Sequence, residues 1–332
     1  MNGLKTLKSL CGSLVFRILV GLLLLAILIY TVGEREILGS LFTVDLSYYL
    51  LGLFLYIAAL GFLGSIRLHT VLVATGNKIK FMTVVNTNFM GMFFANFMPQ
   101  VVGVDLTRVL ELRRQGGAGT DVVASVFLDR VIGLISLFLM TFVGILVGFQ
   151  LISDPSIIAT IIVLAALFFC GWCFLFNLPF LQKFRFILDW PLIHPNREKV
   201  VQIYETLYQI RMQPGLIWRL IGICLVSQWV EVASVWALAY ALDFSVAPFY
   251  FYIFVPIIWL ITMLPVSIAG LGVREVAYVF FFSSVGMFQA DAFSLSLLVY
   301  STQLIMGIIG GLLFLSSSAK QPVQSRAIKA SS

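Results

Sequence analysis

Apolar residues run along this chain in blocks long enough to cross a lipid bilayer. A helical span needs about 20 apolar residues, and six blocks meet that length: 14–32, 47–66, 122–149, 157–177, 216–242 and 294–315. Two further apolar regions, 81–114 and 250–287, are interrupted by MPQVVGVDLTR and LPVSIAGLGVR. The polar connectors set the orientation. Residues 33–46 hold Glu34, Arg35, Glu36 and Asp45, and the turns near Asp154, Asp243 and Asp291 hold no lysine or arginine. Lys5, Lys8, Arg17, Arg67, Lys78, Lys80, Lys183, Arg185, Arg197, Lys199, Arg211, Arg219, Lys320, Arg326 and Lys329 gather in the other connectors and tails. The positive-inside rule then predicts that both termini are cytoplasmic.

That topology closes only if the two interrupted regions do not cross. Region 81–114 lies between basic connectors, so it enters from the cytoplasm and returns. Region 250–287 lies between acidic turns, so it enters from outside and returns. Non-helical backbone at membrane depth is tolerated only where protein or a water-filled cavity covers it. Both breaks are therefore expected to line an internal site.

Composition agrees with this picture. The 332 residues are 61% hydrophobic and 11% charged, against about 25% charged in soluble domains. The net charge of +6 records topology rather than a nucleic-acid partner. Dinucleotide-binding, P-loop and HExxH signatures are missing, and two histidines cannot build a His-rich metal site. No cofactor or metal is expected. Cys170 and Cys173 have CxxC spacing but lie inside an apolar run, where buried, inert thiols are the expectation, as for Cys11 and Cys224. The basic N-terminus reads as an uncleaved first helix rather than a signal peptide, since no small-residue cleavage site follows its apolar run. The connector 178–215 lies along the cytoplasmic headgroups or forms a solvated loop.

MPQVVGVDLTRVLEL (98–112) and LPVSIAGLGVREVAY (264–278) align. Each has a proline, a glycine four or five residues on, and an arginine nine residues after the proline. Each flank reads span, span, re-entrant hairpin, span, and the two halves face opposite ways. The expected fold is an all-α polytopic membrane protein with an inverted repeat. Repeat 1 covers about 1–150 and repeat 2 about 151–318, with a tail at 319–332, all in a single integral membrane domain.

Pro99 and Pro265 stop the first arm of each hairpin, and Gly103, Gly270 and Gly272 permit the reversal. The second arm then begins a helix whose free N–H groups point inward, and a helix N-terminus is an anion site. Arg108 and Arg274 fall within its first turns. They either hold a phosphate between them, where the planar fork binds two oxygens at once, or pair with Asp105 and Glu275. Asp129 and Arg130 are adjacent and so point about 100° apart; each is expected to find another partner. Arg130 is a third phosphate ligand or a clamp on the first hairpin. Glu231, one turn after Gln228, either carries a proton or pairs with an arginine. Asn86, Asn88 and Asn96 are expected to bond helices together.

With these motifs the chain resembles the transmembrane flippase-like family of the lysylphosphatidylglycerol synthases. The resemblance rests on Pro99, Gly103, Asp105 and Arg108; then Asp129 and Arg130; then Pro265, Gly270, Gly272, Arg274 and Glu275. Val104 departs from it, standing where a second glycine is usual. The family implies a lipid translocase, not an enzyme, in a prokaryotic cell membrane. Its implied partner is a lipid with an anionic headgroup, either a phospholipid or a polyprenyl-phosphate-linked lipid. A homodimer or a lipid-synthesis enzyme as further partner stays open. The synthases carry a soluble aminoacyl-transferase domain after the membrane part, whereas this chain ends in SSSAKQPVQSRAIKASS. The expectation is that it does not make the aminoacyl lipid itself. The alternatives are a secondary transporter of a small anion, an intramembrane enzyme, or an accessory subunit of envelope lipid or glycan synthesis.

Overall fold

A computed structural model describes residues 22–98, 100–148, 210, 212–244, 246–263 and 270–319. The expected span 157–177, nearly all of the connector 178–215, the CxxC pair, Pro99 and Pro265 lie outside the described residues. What is described is helical throughout. Helices α1 (Leu22–Val32) and α2 (Glu34–Phe42) precede a long helix, α3 (Leu46–Ala74). Then come a short pair, α4 (Phe81–Ala95) and α5 (Gln100–Arg114), and a long helix, α6 (Gly119–Gly148). After the undescribed stretch the order repeats: long α7 (Pro214–Tyr240), short α8 (Pro248–Thr262) and α9 (Val273–Ser283), and long α10 (Gln289–Ala319).

Local sequence accounts for the boundaries. Asp45 caps α3 by accepting from the Ser47 backbone N–H at 2.7 Å. Pro214 and Pro248 open α7 and α8, where a missing N–H costs nothing. The four long helices are apolar enough to cross a bilayer. At a rise of 1.5 Å per residue, neither arm of either short pair covers a hydrocarbon core of about 30 Å.

Each short pair is a hairpin. In the first, Gly103 lies against Ala95, where a side chain would come within 2.9 Å of backbone. In the second, Gly270 lies against Thr262, and Phe251 and Phe254 meet Phe281 and Phe282. The hairpins are exchanged between halves: α4 packs on α10, and α8 packs on α6. Glycines make both contacts close, Gly310 against the Phe89 backbone and Gly144 against Tyr252 and Ile253. Helices α3 and α7 pack together along a seam where Ser234 donates to the Gly52 carbonyl at 2.7 Å and Ser227 to that of Ala59 at 2.8 Å.

The outer surface is apolar. On α10, Leu304, Ile308, Leu312 and Leu315 form one exposed stripe at helical spacing, and Leu139, Phe142, Val143 and Leu146 do the same on α6. Exposed apolar surface of this extent belongs in lipid. Arg108, Asp129, Arg274 and Glu275 are buried inside the bundle, while Arg35, Glu36, Lys78, Lys80, Arg113 and Arg114 are exposed at helix ends and connectors.

Candidate functional site

The expected span at 47–66 followed by a cytoplasmic connector needs correction: the helix runs on to Ala74. Arg67 is therefore not a marker of the cytoplasmic side but an interior residue. Within α3, residues Ile57–Leu63 form a π-helical segment, a distortion often found at functional sites. The Ala59 carbonyl in this segment takes both the Gly64 N–H and the Ser227 hydroxyl.

Arg67 grips Asp129 with both forks, Nε to Oδ1 at 2.5 Å and Nη2 to Oδ2 at 2.9 Å, and its Nη1 donates to Cys224 Sγ at 2.6 Å. Arg108 reaches the same carboxylate, Nη1 to Asp129 Oδ2 at 3.2 Å, while its Nε donates to Asn88 Oδ1 at 2.8 Å. Asn88 donates onward to Ser65 at 2.6 Å, and Ser65 to the Gly61 carbonyl in the π segment. Asp105 completes the network at 3.5 Å from both Arg108 and Arg130. Asp129 and Arg130 thus have separate partners, Arg67 and Arg108 for the first and Asp105 for the second, as their angular separation requires. Asn96 donates back to the Met92 carbonyl of its own helix at 3.0 Å and accepts from Gln303 Nε2 of α10 at 3.5 Å, so it links helices as expected.

The second hairpin is built differently. Arg274 pairs with its neighbour Glu275, Nη2 to Oε1 at 2.6 Å and Nε to Oε1 at 3.1 Å, and lies 4.5 Å over the Tyr300 ring. Glu275 Oε2 accepts from the Gly272 N–H at 2.6 Å. The anion at this helix N-terminus is therefore the protein's own carboxylate. Gly270 and Gly272 have φ of 73° and 81°, which glycine adopts without strain. Gly103 needs a different account from that of a reversal hinge. It lies inside α5, and its lack of a side chain lets the two arms touch.

Equal proline-to-arginine spacing does not give equal placement either. Helix α5 begins at Gln100, which puts Arg108 more than two turns beyond its N-terminus. Helix α9 begins at Val273, which puts Arg274 in its first turn. Arg108 stands behind Asp129, whereas Arg274 faces a cavity of about 210 Å³ between the halves. That cavity is lined by Arg67, Asp129, Arg130, Glu231 and Arg274, with Tyr56, Gln228, Tyr278 and Gln303 among their neighbours. The Arg130 side chain keeps 31% of its surface accessible, against 11% for Arg108. No hydrogen bond or ion pair to another described residue holds the Glu231 carboxyl. The Gln228 Oε1 and Tyr278 hydroxyl atoms are also buried without partners among the described residues.

Arg67, Tyr56, Tyr278 and Gln303 were not among the residues the sequence pointed to. A signal for Arg67 exists: the apolar run resumes after it as VLVA, so one charge interrupts a single long helix.

An apolar helical bundle with a charged interior cavity defines an integral membrane protein with polar groups gathered inside it. The chain belongs to the lysylphosphatidylglycerol synthase transmembrane region family, which matches residues 14–311. No curated protein and no solved structure matches it. Membership ties the protein to lipid biology.

Proposed function

We propose that this protein is a lipid translocase. It moves a lipid with a phosphate-containing anionic headgroup between leaflets, the headgroup passing through the cavity while the tails stay in the bilayer. The observation that carries the reading is the pair Arg130 and Arg274, both facing the cavity with guanidinium N–H groups not taken up by carboxylates. An arginine within the hydrocarbon costs at least about 2.5–3.5 kcal/mol, and a bidentate phosphate contact is a use for that cost. Arg67 and Arg108 hold Asp129, and with Asp105 they orient Arg130. They are positioning residues in this reading.

The exchange of hairpins between halves supports an inverted repeat: the first hairpin enters from the cytoplasm, the second from outside, and both termini are cytoplasmic. Opening the cavity to one leaflet or the other then amounts to rocking one half against the other.

The test is transfer of fluorescent phosphatidylglycerol across reconstituted vesicles at matched protein levels. Transfer that is lost in Arg274→Ala and partly kept in Arg274→Lys is the expected result. Accumulation of a water-soluble anion with no lipid transfer would replace the translocase with a small-anion transporter.

A further inference from the structure

The cavity's charges do not balance where they touch. Arg67, Arg108 and Arg130 share two carboxylates, Asp105 and Asp129, which leaves that network with one excess positive charge. Arg274 and Glu275 neutralise each other. Glu231 lines the same cavity from α7 and is the carboxyl left over. Ionised, it offsets the excess across the cavity without contacting it. Around it, α3 presents Tyr56 and Arg67, α6 presents Asp129 and Arg130, and α9 presents Arg274 and Tyr278. The lining residues of α8 and α10 (Trp259, Thr262, Met263, Val299 and Gln303) bring no further charge.

We infer that Glu231 is a proton-binding site linked to the headgroup, the carboxyl taking up a proton when a lipid phosphate enters the cavity. This rests on the reading of the cavity as a phosphate site. A phosphodiester carries one negative charge and can offset the network's excess itself. Glu231, if still ionised, would then be a second anion for the same charge in a poorly solvated space. A proton from the water on the side of entry neutralises it, and is released with the headgroup. Headgroup and proton therefore travel together, and a proton gradient can drive lipid movement. A unit charge roughly 10 Å away at an effective dielectric of about 20 changes proton affinity on the order of tenfold. By reciprocity protonation tightens headgroup binding by the same factor.

The experiment uses the full chain in detergent with phosphatidylglycerol, whose diester charge is constant above acid pH. Calorimetry in two buffers of different ionisation heat reads protons taken up per headgroup bound. A tenfold linkage gives uptake peaking near about half a proton, and an affinity that weakens about tenfold as pH rises through the ionisation of Glu231. Glu231→Gln is expected to abolish the uptake and make affinity independent of pH. Binding by the unaltered protein with no proton uptake overturns the inference and leaves the lipid reading intact. Unchanged uptake in Glu231→Gln also overturns it, since another group then takes the proton. If Glu231→Gln does not fold, the unaltered protein's uptake and pH dependence still decide the linkage. Glycerophosphoglycerol, a soluble diester, separates the two readings. If it binds with proton uptake where the lipid does not bind, the linkage stands and the translocase reading falls. If neither binds, both fall.

Discussion

The two hairpins carry the same proline-to-arginine spacing and bury their arginines to similar depth, Arg108 at 9% exposure and Arg274 at 6%. Only Arg274 faces the cavity. Arg108 is tied through Asn88, Asp105 and Asp129 into a network spanning α3 to α6. Arg274 leans on a single neighbouring carboxylate that is itself occupied with the Gly272 N–H. A buried charge that belongs to a network holds helices in place, and a buried charge with donors to spare can hold a ligand. The same motif has been put to both uses, one in each half.

The sharpest way to break this comparison is to remove the centre of the network. Asp129→Ala strands two buried guanidiniums and is expected to cost about 3–5 kcal/mol, read as a lower unfolding midpoint in detergent. A change below about 1 kcal/mol would show that Arg67 and Arg108 find other partners, and the network would lose its structural role.

Next in size is the contrast between the arginines. Losing a charge-assisted hydrogen bond costs about 1.5–3 kcal/mol, so Arg274→Ala should lower lipid transfer by roughly 10–100-fold with the protein still folded. Arg108→Ala should instead lower the yield of folded protein, while transfer per folded molecule falls less. Equal losses per folded molecule would make both arginines ligands. The double change Arg274→Ala with Glu275→Ala should stay inactive; a rescue would make Arg274 only a partner for Glu275.

The exchanged helix contacts give the smallest effects. At Gly310 a side chain would meet the Phe89 backbone directly, so Gly310→Ala should cost about 1–3 kcal/mol through overpacking. At Gly144 the nearest atoms, of Tyr252 and Ile253, stand at 3.3 and 3.4 Å. Gly144→Ala should therefore cost under about 1 kcal/mol, and thermal unfolding of both variants compares the two contacts. Equal costs would mean that the two contacts are equally tight.

The apolar runs of α6, α7 and α10 and the two interrupted regions were legible in the sequence by itself, because a bilayer imposes length and hydropathy on each segment without reference to its neighbours. So was the demand that Asp129 and Arg130 have different partners, which helical rotation alone requires. Which partners they have was decided by tertiary structure. Arg67 reads as a cytoplasmic charge because a run of apolar residues ends at it, yet Asp129, 62 residues on, is what draws it inside. Equal spacing likewise suggested equal roles for Arg108 and Arg274. Their roles part because α5 begins eight residues before its arginine and α9 only one, a difference in helix start that rotates one side chain behind Asp129 and the other into the cavity. Glu231 was expected either to carry a proton or to pair with an arginine; the packing of α7 against α3 and α6 leaves the described arginines around it engaged elsewhere or out of reach. Local patterns fix which segments are long and apolar enough for the bilayer, and only the assembled bundle determines what a charge within them faces.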